Sequence, residues 1–349
     1  MVVTAAPGDA ITNHAFELRA LLRKIGQSEI YARYIDPAVA GEVRPLPDFT
    51  GGADDLILFH ASIGEPAVHE FLMTRPERLV LVYHNISPAD AFADYDPAFA
   101  ALLDLGRTEL LALRDRATGA LAVSAFNARE LESMGFTDVR VAPLIVDPQP
   151  LHDTEPDPAL QQLLTDHVDG PVLLYVGQLL PHKRPDLLIE AFHLLATAIR
   201  PNTRLILVGP ARLPRYATVV HQFVKELNLP RCWLAGAVSQ AQLAAFYRRA
   251  DAFVTTSQHE GFCAPLIEAM SFDLPVLARA CAAIPDTLGD AGLILPDDAG
   301  PALIAEAMDV VLNDSSVRIE ITEPATDQLT RLSPDNARAA FLEQLMAYI

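Results

Sequence analysis

The chain has 349 residues, 51% hydrophobic and 20% charged, with a net charge of −19. That apolar share suits about two domains with sizeable cores and excludes a disordered chain. The acidity disfavours nucleic acid and anionic membranes as general partners, both being polyanions. Three scattered cysteines, Cys232, Cys263 and Cys281, offer neither a disulfide framework nor metal-ligand spacing and indicate a reducing compartment. The opening MVVTAAPGDA lacks a basic region and a long apolar run. No stretch approaches the roughly 18 apolar residues of a bilayer span. A cytoplasmic protein with no transmembrane segment is expected.

In chain order, residues 2–6 predict a short strand and Pro7, Gly8 and Asp9 a tight turn. Phe16, Leu18, Leu21, Leu22 and Ile25 recur at helical spacing and predict a helix over 12–25, closed by Gly26. EIYARYI, residues 54–62 and residues 78–87 read as strands, the last two ending near His60 and His84. A helical pattern follows in FAALLDLGRTELLALRDRA, then strand, cap at Ser124 or Asn127, and helix in GALAVSAFNARELESMGF. A strand over 139–147 ends the first half. Residues 1–150 are expected to form one domain, the Pro- and Asp-rich 151–170 a linker, and 171–330 a second domain. Residues 331–349 read as a terminal helix packing back on the first domain. The second domain repeats strand and helix: PVLLYVGQ, RPDLLIEAFHLLATAI, TRLILVGPA, TVVHQFVKELNL, CWLAGAV, AQLAAFYRRA and DAFVTTS. Such alternation predicts a mainly parallel, doubly wound α/β sheet.

The stretch HEGFCAPLIEAMSFDLPVLA carries the densest chemistry. It reads as loop, helix and buried strand. Glu260 falls at the carboxyl end of the preceding strand, where open α/β sheets bind ligands. Glu268 falls in the first turns of the helix, with Pro265 suited to its start. The amides of Gly261, Phe262 and Cys263 lie near the positive end of the helix dipole. This suits a polar ligand with an attached phosphate. Gly177 after a strand, with Lys183 and Arg184 before a helix, suits an anion as well, although two such charges also suit an ordinary solvated loop. Gly209 reads as an anion contact or simply as a turn. His84, with Asn85 after it, and His60 end neighbouring strands on the ligand side of a sheet.

Other chemistries fail on pattern. No GxGxxG or GxxxxGK[ST] follows any strand. Asp94 and Asp96 form a D-x-D in a Pro-bounded loop and read as turn chemistry. No HExxH, Cys/His cluster or GxSxG is present. The expectation is therefore no metal.

Taken together, these segments resemble the retaining family-4 glycosyltransferases of GT-B fold, the glycosyl transferases group 1. The resemblance is carried by SQHEGFCAPLIEAMSFDLPVLA with AAIPDTLGDAGLILP, by YVGQLLPHKRPDLLIEAF, by LAGAVSQAQLAAFYRRADAFVTTS and by VAPLIVD. GDAITNHAFELRALLRKIG, LILFHASIG and LVYHNISPADAF resemble a subset of these enzymes. The resemblance implies two Rossmann-like domains with parallel sheets facing an inter-domain cleft, the first on the acceptor side and the second binding a nucleotide sugar. It implies catalytic roles for His84 near the reacting sugar, Lys183 on the diphosphate and Glu260 on donor sugar hydroxyls. Donor contacts are implied at Gly8, Gly177, Gln178, Arg184, Gly261, Phe262 and Cys263, with Glu268 on the ribose diol. Gln178 stands where the family usually has Arg, and the usual double-glycine loop is reduced to Pro7, Gly8 and Asp9. The implied reaction moves a sugar from a nucleoside diphosphate sugar to a glycan or other hydroxyl acceptor with retention of configuration. It calls for no metal and for no cofactor beyond the sugar-nucleotide co-substrate. A degenerate GT-B binding protein without turnover, and another GT-B enzyme such as a sugar-nucleotide epimerase, are the alternatives.

Overall fold

The computed structural model describes residues 1–349, the side chain of His167 excepted. The chain divides into two units. The first comprises Met1–Ala93, Pro97–Val146 and Leu332–Ile349; the second comprises Asp94–Asp96 and Asp147–Arg331.

In the first unit, β1 (Val2–Ala5), β2 (Tyr31–Ile35) and β3 (Arg44–Pro45) form a parallel sheet in that order. A second parallel sheet runs β4 (Leu56–Ala61), β5 (Arg78–Tyr83), β6 (Gly119–Ala122) and β7 (Val139–Val141). The His60 amide donates to the Met1 carbonyl at 2.9 Å, joining β4 to β1. β5 reads RLVLVY because both its faces are covered, and Leu79 to Tyr83 are all 1% exposed or less. The helix Ala10–Leu22 starts where Asp9 accepts from the Thr12 amide at 2.9 Å, and Gly8 supplies the left-handed turn before it with φ +70°. Its inner face joins Val2, Ala5, Ala15, Ile30 and Ala32 in one core cluster.

The strand expected over 139–147 stops at Val141. Ala142 still donates to the Ala122 carbonyl, but Pro143 has no N–H to continue the ladder. The terminal helix, Pro334–Met346, belongs to this unit. Phe341 is fully buried with its ring 6.1 Å from that of His14, Arg338 pairs with Glu17 at 2.9 Å, and Arg78 donates to the Tyr348 carbonyl at 2.8 Å.

The second unit carries β8 (Val172–Val176), β9 (Arg204–Val208), β10 (Cys232–Gly236), β11 (Ala252–Thr255), β12 (Val276–Arg279) and β13 (Leu293–Leu295). They pair in parallel in the order β10-β9-β8-β11-β12-β13. Counted within the unit this is the 3-2-1-4-5-6 order of nucleotide-binding sheets, whose direction of winding reverses between β8 and β11. The residues expected as a linker, 151–170, hold most of a short helix, Gln149–Asp153, and a longer one, Pro158–His167, and both fall within this unit. The helix expected over 184–199 is regular over Pro185–Leu194 and widens over Leu195–Ile199. Three further helices, Pro301–Asn313, Ser315–Thr322 and Ala325–Arg331, were not among the sequence expectations. Among the described residues no helix is long and apolar enough to cross a membrane.

Candidate functional site

The winding reversal of the second sheet opens a crevice at the carboxyl ends of β8 and β11, and the singled-out residues of this unit lie around it. Gly177 directly follows β8. Its carbonyl lies against Gly209, where a Cβ would stand 2.0 Å from that oxygen, and Gly209 has φ +145°. The ends of β8 and β9 thus approach so closely that position 209 admits no side chain. Gly209 serves this backbone contact. The Gln178 carbonyl accepts from the Tyr175 hydroxyl at 3.2 Å and from the Leu180 amide at 2.9 Å, fixing the loop that leads to Lys183.

Residues 181–184 form a single tight turn before the helix Pro185–Leu194. Arg184 takes a left-handed conformation with φ +49° at the junction. Two bonds tie this turn to the loop after β11: the Thr256 hydroxyl donates to the Arg184 carbonyl at 2.8 Å, and the Gln258 amide to the His182 carbonyl at 2.8 Å. The result is an ion pair between residues far apart in sequence. Lys183 Nζ lies 2.6 Å from Glu260 Oε1, with side chains only 18% and 10% exposed. The Ser257 hydroxyl donates to the same oxygen at 2.8 Å. Burial alone would raise the Glu260 carboxyl. The neighbouring charge of Lys183, with the hydrogen bonds from Lys183 and Ser257, outweighs burial and holds it below its usual range. Burial likewise opposes the charge on Lys183, and Glu260 overrides it, so the ammonium is held charged. Lys183 is therefore no loose surface charge. It is a largely covered cation fixed by an ion pair on the loop that follows β8.

Arg184 points its charge elsewhere. Its Nε lies 2.9 Å from Asp186, which also accepts from the Tyr216 hydroxyl at 3.0 Å. Cys263 caps the helix Ala264–Ser271 in a left-handed conformation with φ +71°, and Pro265 occupies the first turn. The turn is anchored by the Ala283 amide on the Glu260 carbonyl at 3.2 Å and by the Thr287 hydroxyl on the Phe262 carbonyl. Phe262 and Cys263 are buried, and burial pushes the Cys263 thiol well up. Glu268 is the fifth residue of this helix, in its second turn, as expected. It accepts from the Tyr247 hydroxyl at 2.7 Å, and Tyr247 stacks on Phe272 with ring centres 5.1 Å apart. Burial raises the Glu268 carboxyl and the Tyr247 bond only partly offsets it.

The first unit gathers a second set. His84 follows β5, and its Nε2 lies 2.9 Å from Nδ1 of His60. His14, from the helix Ala10–Leu22, meets both edge-on, with ring centres 5.6 Å from His60 and 5.2 Å from His84. Burial keeps all three imidazoles neutral, lowering His84 to about 3 and His14 and His60 well below their usual value. The turn after His84 is locked from behind. Asn85, at φ +80°, donates to Asn127 at 2.9 Å and to Glu130 at 2.8 Å. Tyr83 donates to Glu130 at 2.8 Å, and Arg107 pairs with that carboxylate at 2.8 Å. Ser124 is the helix cap, donated to by the Asn127 amide at 3.2 Å, which leaves the Asn127 side chain for Asn85. Gly8 stands exposed at the turn after β1, with nothing within 4 Å of a built Cβ.

Sequence reasoning did not assign Ser257, Tyr247 or Asp186 a role at the site, nor His14. The sequence pattern showed no metal-ligand cluster, yet the fold brings potential ligand atoms of His14, His60 and His84 within 4.8 Å of one another. They escaped notice because they come from a helix and two separate strand ends. A buried polar residue on an otherwise apolar helix face was the available signal for His14 and for Tyr247.

Two parallel-sheet units with this strand order define a GT-B fold. The solved structure of Anabaena Alr3699/HepE in complex with UDP and glucose superposes with a TM-score of 0.75 at 17% identity, covering 99% of each chain. Sucrose-phosphate synthase from Thermosynechococcus elongatus gives a TM-score of 0.75 at 18% identity, over 100% of this chain and 99% of that one. Residues 161–328, nearly all of the second unit, match the family described as glycosyl transferases group 1. Among curated relatives, the lipopolysaccharide 1,2-N-acetylglucosaminetransferase of Salmonella typhimurium is 32% identical over 200 residues, 54% of this chain and 52% of its own length. The D-inositol 3-phosphate glycosyltransferase of Xylanimonas cellulosilytica is 26% identical over 246 residues, 68% of this chain and 58% of its own. The matched stretch thus spans little more than half the length of these relatives.

Proposed function

We propose that the protein is a glycosyltransferase that moves a sugar from a nucleoside diphosphate sugar to a hydroxyl acceptor with retention of configuration. The observation that carries this reading is the buried Lys183–Glu260 pair at the winding reversal of the second sheet. A sugar nucleotide presents hydroxyls and a diphosphate side by side. Glu260, held ionised, accepts from sugar hydroxyls. Lys183 stabilises the negative charge that develops on the leaving diphosphate, already in place and needing no reorganisation. A fixed cation there supplies what a metal would, so this step calls for no metal ion. The amides of Gly261, Phe262 and Cys263 hold the sugar or phosphate at the helix start, and Glu268, steadied by Tyr247, grips the ribose diol. His84, neutral at physiological pH, is a hydrogen-bond partner for the reacting sugar rather than a store of charge. The acceptor binds to the first unit. The relatives named as lipopolysaccharide and D-inositol 3-phosphate glycosyltransferases support a role in glycan or glycoconjugate synthesis. Three free cysteines suit a cytoplasmic setting.

The test is calorimetric titration with UDP-, GDP- and dTDP-sugars, with Glu268→Ala as the control. Saturable binding of one of them, abolished in the variant, is expected; no binding of any at millimolar concentration sinks the reading. Gln178 favours one second reading, a protein that binds the donor without turnover. In that case donor binds, no acceptor in a broad panel is glycosylated, and Gln178→Arg gains transfer.

A further inference from the structure

We propose that His14, His60 and His84 form a binding site for a single divalent transition-metal cation of the zinc class, distinct from the Lys183–Glu260 centre. Two observations carry it. The three side chains converge from separate elements so that one potential ligand atom of each lies within 4.8 Å of the others. His14 is 1% exposed, and neither of its ring nitrogens has a hydrogen-bond partner. Leaving two such buried atoms unpaired by any protein group is costly, and a buried polar group of this kind calls for a ligand.

The geometry is close to what a cation needs. Zinc–nitrogen bonds of about 2.0–2.1 Å in a tetrahedral arrangement place ligand nitrogens about 3.3 Å apart. His60 and His84 already stand at 2.9 Å, sharing one proton between Nδ1 and Nε2. Binding replaces that shared proton, which passes to the other nitrogen of its own ring and leaves both facing lone pairs for the metal, while the His14 ring, edge-on to both, supplies the third nitrogen. Three neutral nitrogens favour zinc, cobalt, nickel or copper and disfavour magnesium and calcium, which take oxygen ligands. Three protein ligands leave the fourth position for water or another oxygen. The inference shares only His84 with the transferase reading, and cobalt binding measured without donor or acceptor tests it separately from that reading.

Cobalt(II) is the probe. The whole protein is stripped with chelator, dialysed and titrated with Co2+ while visible absorption is followed. One cobalt per chain is expected, with the intense visible bands of a low-coordinate nitrogen site and no thiolate charge-transfer band, displaced by Zn2+ and unaffected by excess Mg2+. His14→Leu, verified as folded by circular dichroism, is expected to lose the band and to weaken binding at least about tenfold. His60→Gln is expected to do the same and replaces it should the leucine variant misfold. No saturable cobalt site, a band that persists in both variants, or a thiolate signature from Cys232, Cys263 or Cys281 would overturn the proposal.

Discussion

Replacing Lys183 with Met removes the ammonium and keeps most of the side-chain volume. Glu260 then remains 10% exposed with the Ser257 hydroxyl as its remaining direct hydrogen-bond partner of the pair. Breaking a buried ion pair from one side costs about 3–5 kcal/mol, since the survivor's charge is left uncompensated. Partial exposure of both groups argues for the lower end, about 3 kcal/mol. For a unit of this size that is a drop of about 6–12 °C in Tm. The sign with pH is distinctive. In the native protein Glu260 titrates below its usual range, so its contribution is fully present above the unfolded-state value and is lost as pH falls through the lower folded one. In Lys183→Met burial is largely unopposed, the carboxyl moves up, and protonation relieves the penalty as pH falls. The gap between the two proteins therefore narrows from pH 7 towards pH 4. Trp233, the single tryptophan, lies in β10 of the second unit, so its fluorescence during urea unfolding reports on that unit alone. A loss below about 1 kcal/mol at neutral pH, or a loss that does not change with pH, would refute the idea that the pair is a buried, coupled unit.

Glu268→Gln is expected to weaken sugar-nucleotide binding by about 10- to 100-fold, the loss of a charge-assisted bond, as read by calorimetry. Because the folded protein holds that carboxyl above its usual range, ionising it costs folding energy that appears as pH rises from the unfolded to the folded value. The same variant should therefore be slightly more stable than the parent at pH 7, and equal stability would count against the assignment. With His84 lowered to about 3, the pH profile of transfer should show no histidine limb between pH 5 and 8. A limb near pH 6.5 that vanishes in His84→Asn would contradict a neutral imidazole. Gly209→Ala places a Cβ against the Gly177 carbonyl and should cost about 2 kcal/mol or more, read from the urea midpoint of Trp233 fluorescence.

The clearest parts of the sequence were those in which one local pattern has one physical cause. The run RLVLVY is apolar throughout because a parallel strand is covered on both faces, and it forms β5 as expected. Glu260 after β11 and Lys183 before a helix were recognisable from their places at strand ends. Their contact was not, since 77 residues separate them and only the crossing from β8 to β11 brings them together. The short elements were the least legible. The helix Gln149–Asp153 is one turn long, β3 has two residues, and neither spans a hydrophobic period. Tyr247 lies in an expected helix, but that it faces Glu268 depends on how the helices Gln240–Arg249 and Ala264–Ser271 lie beside one sheet. The histidine cluster depends on the join of β4 to β1, made by the His60 amide on the Met1 carbonyl and the Met1 amino group on the Leu58 carbonyl, residues far apart along the chain.

The membership of Leu332–Ile349 in the first unit has a bearing on how the protein is made. A ribosome delivers Asp147–Arg331 as one continuous block, so the second unit holds nearly everything it needs as soon as that block has emerged. The first unit must wait. Until the last helix arrives, the patch that Phe341 covers beside His14 is open, Glu17 lacks Arg338, and the space beside Gly119 that Tyr348 fills is vacant. The nascent first unit is thus an incomplete core held through the synthesis of an entire second one, a window in which chaperones or aggregation compete for it. A stop codon before residue 332 would leave the second unit's sheet intact and strand the first in that unfinished state.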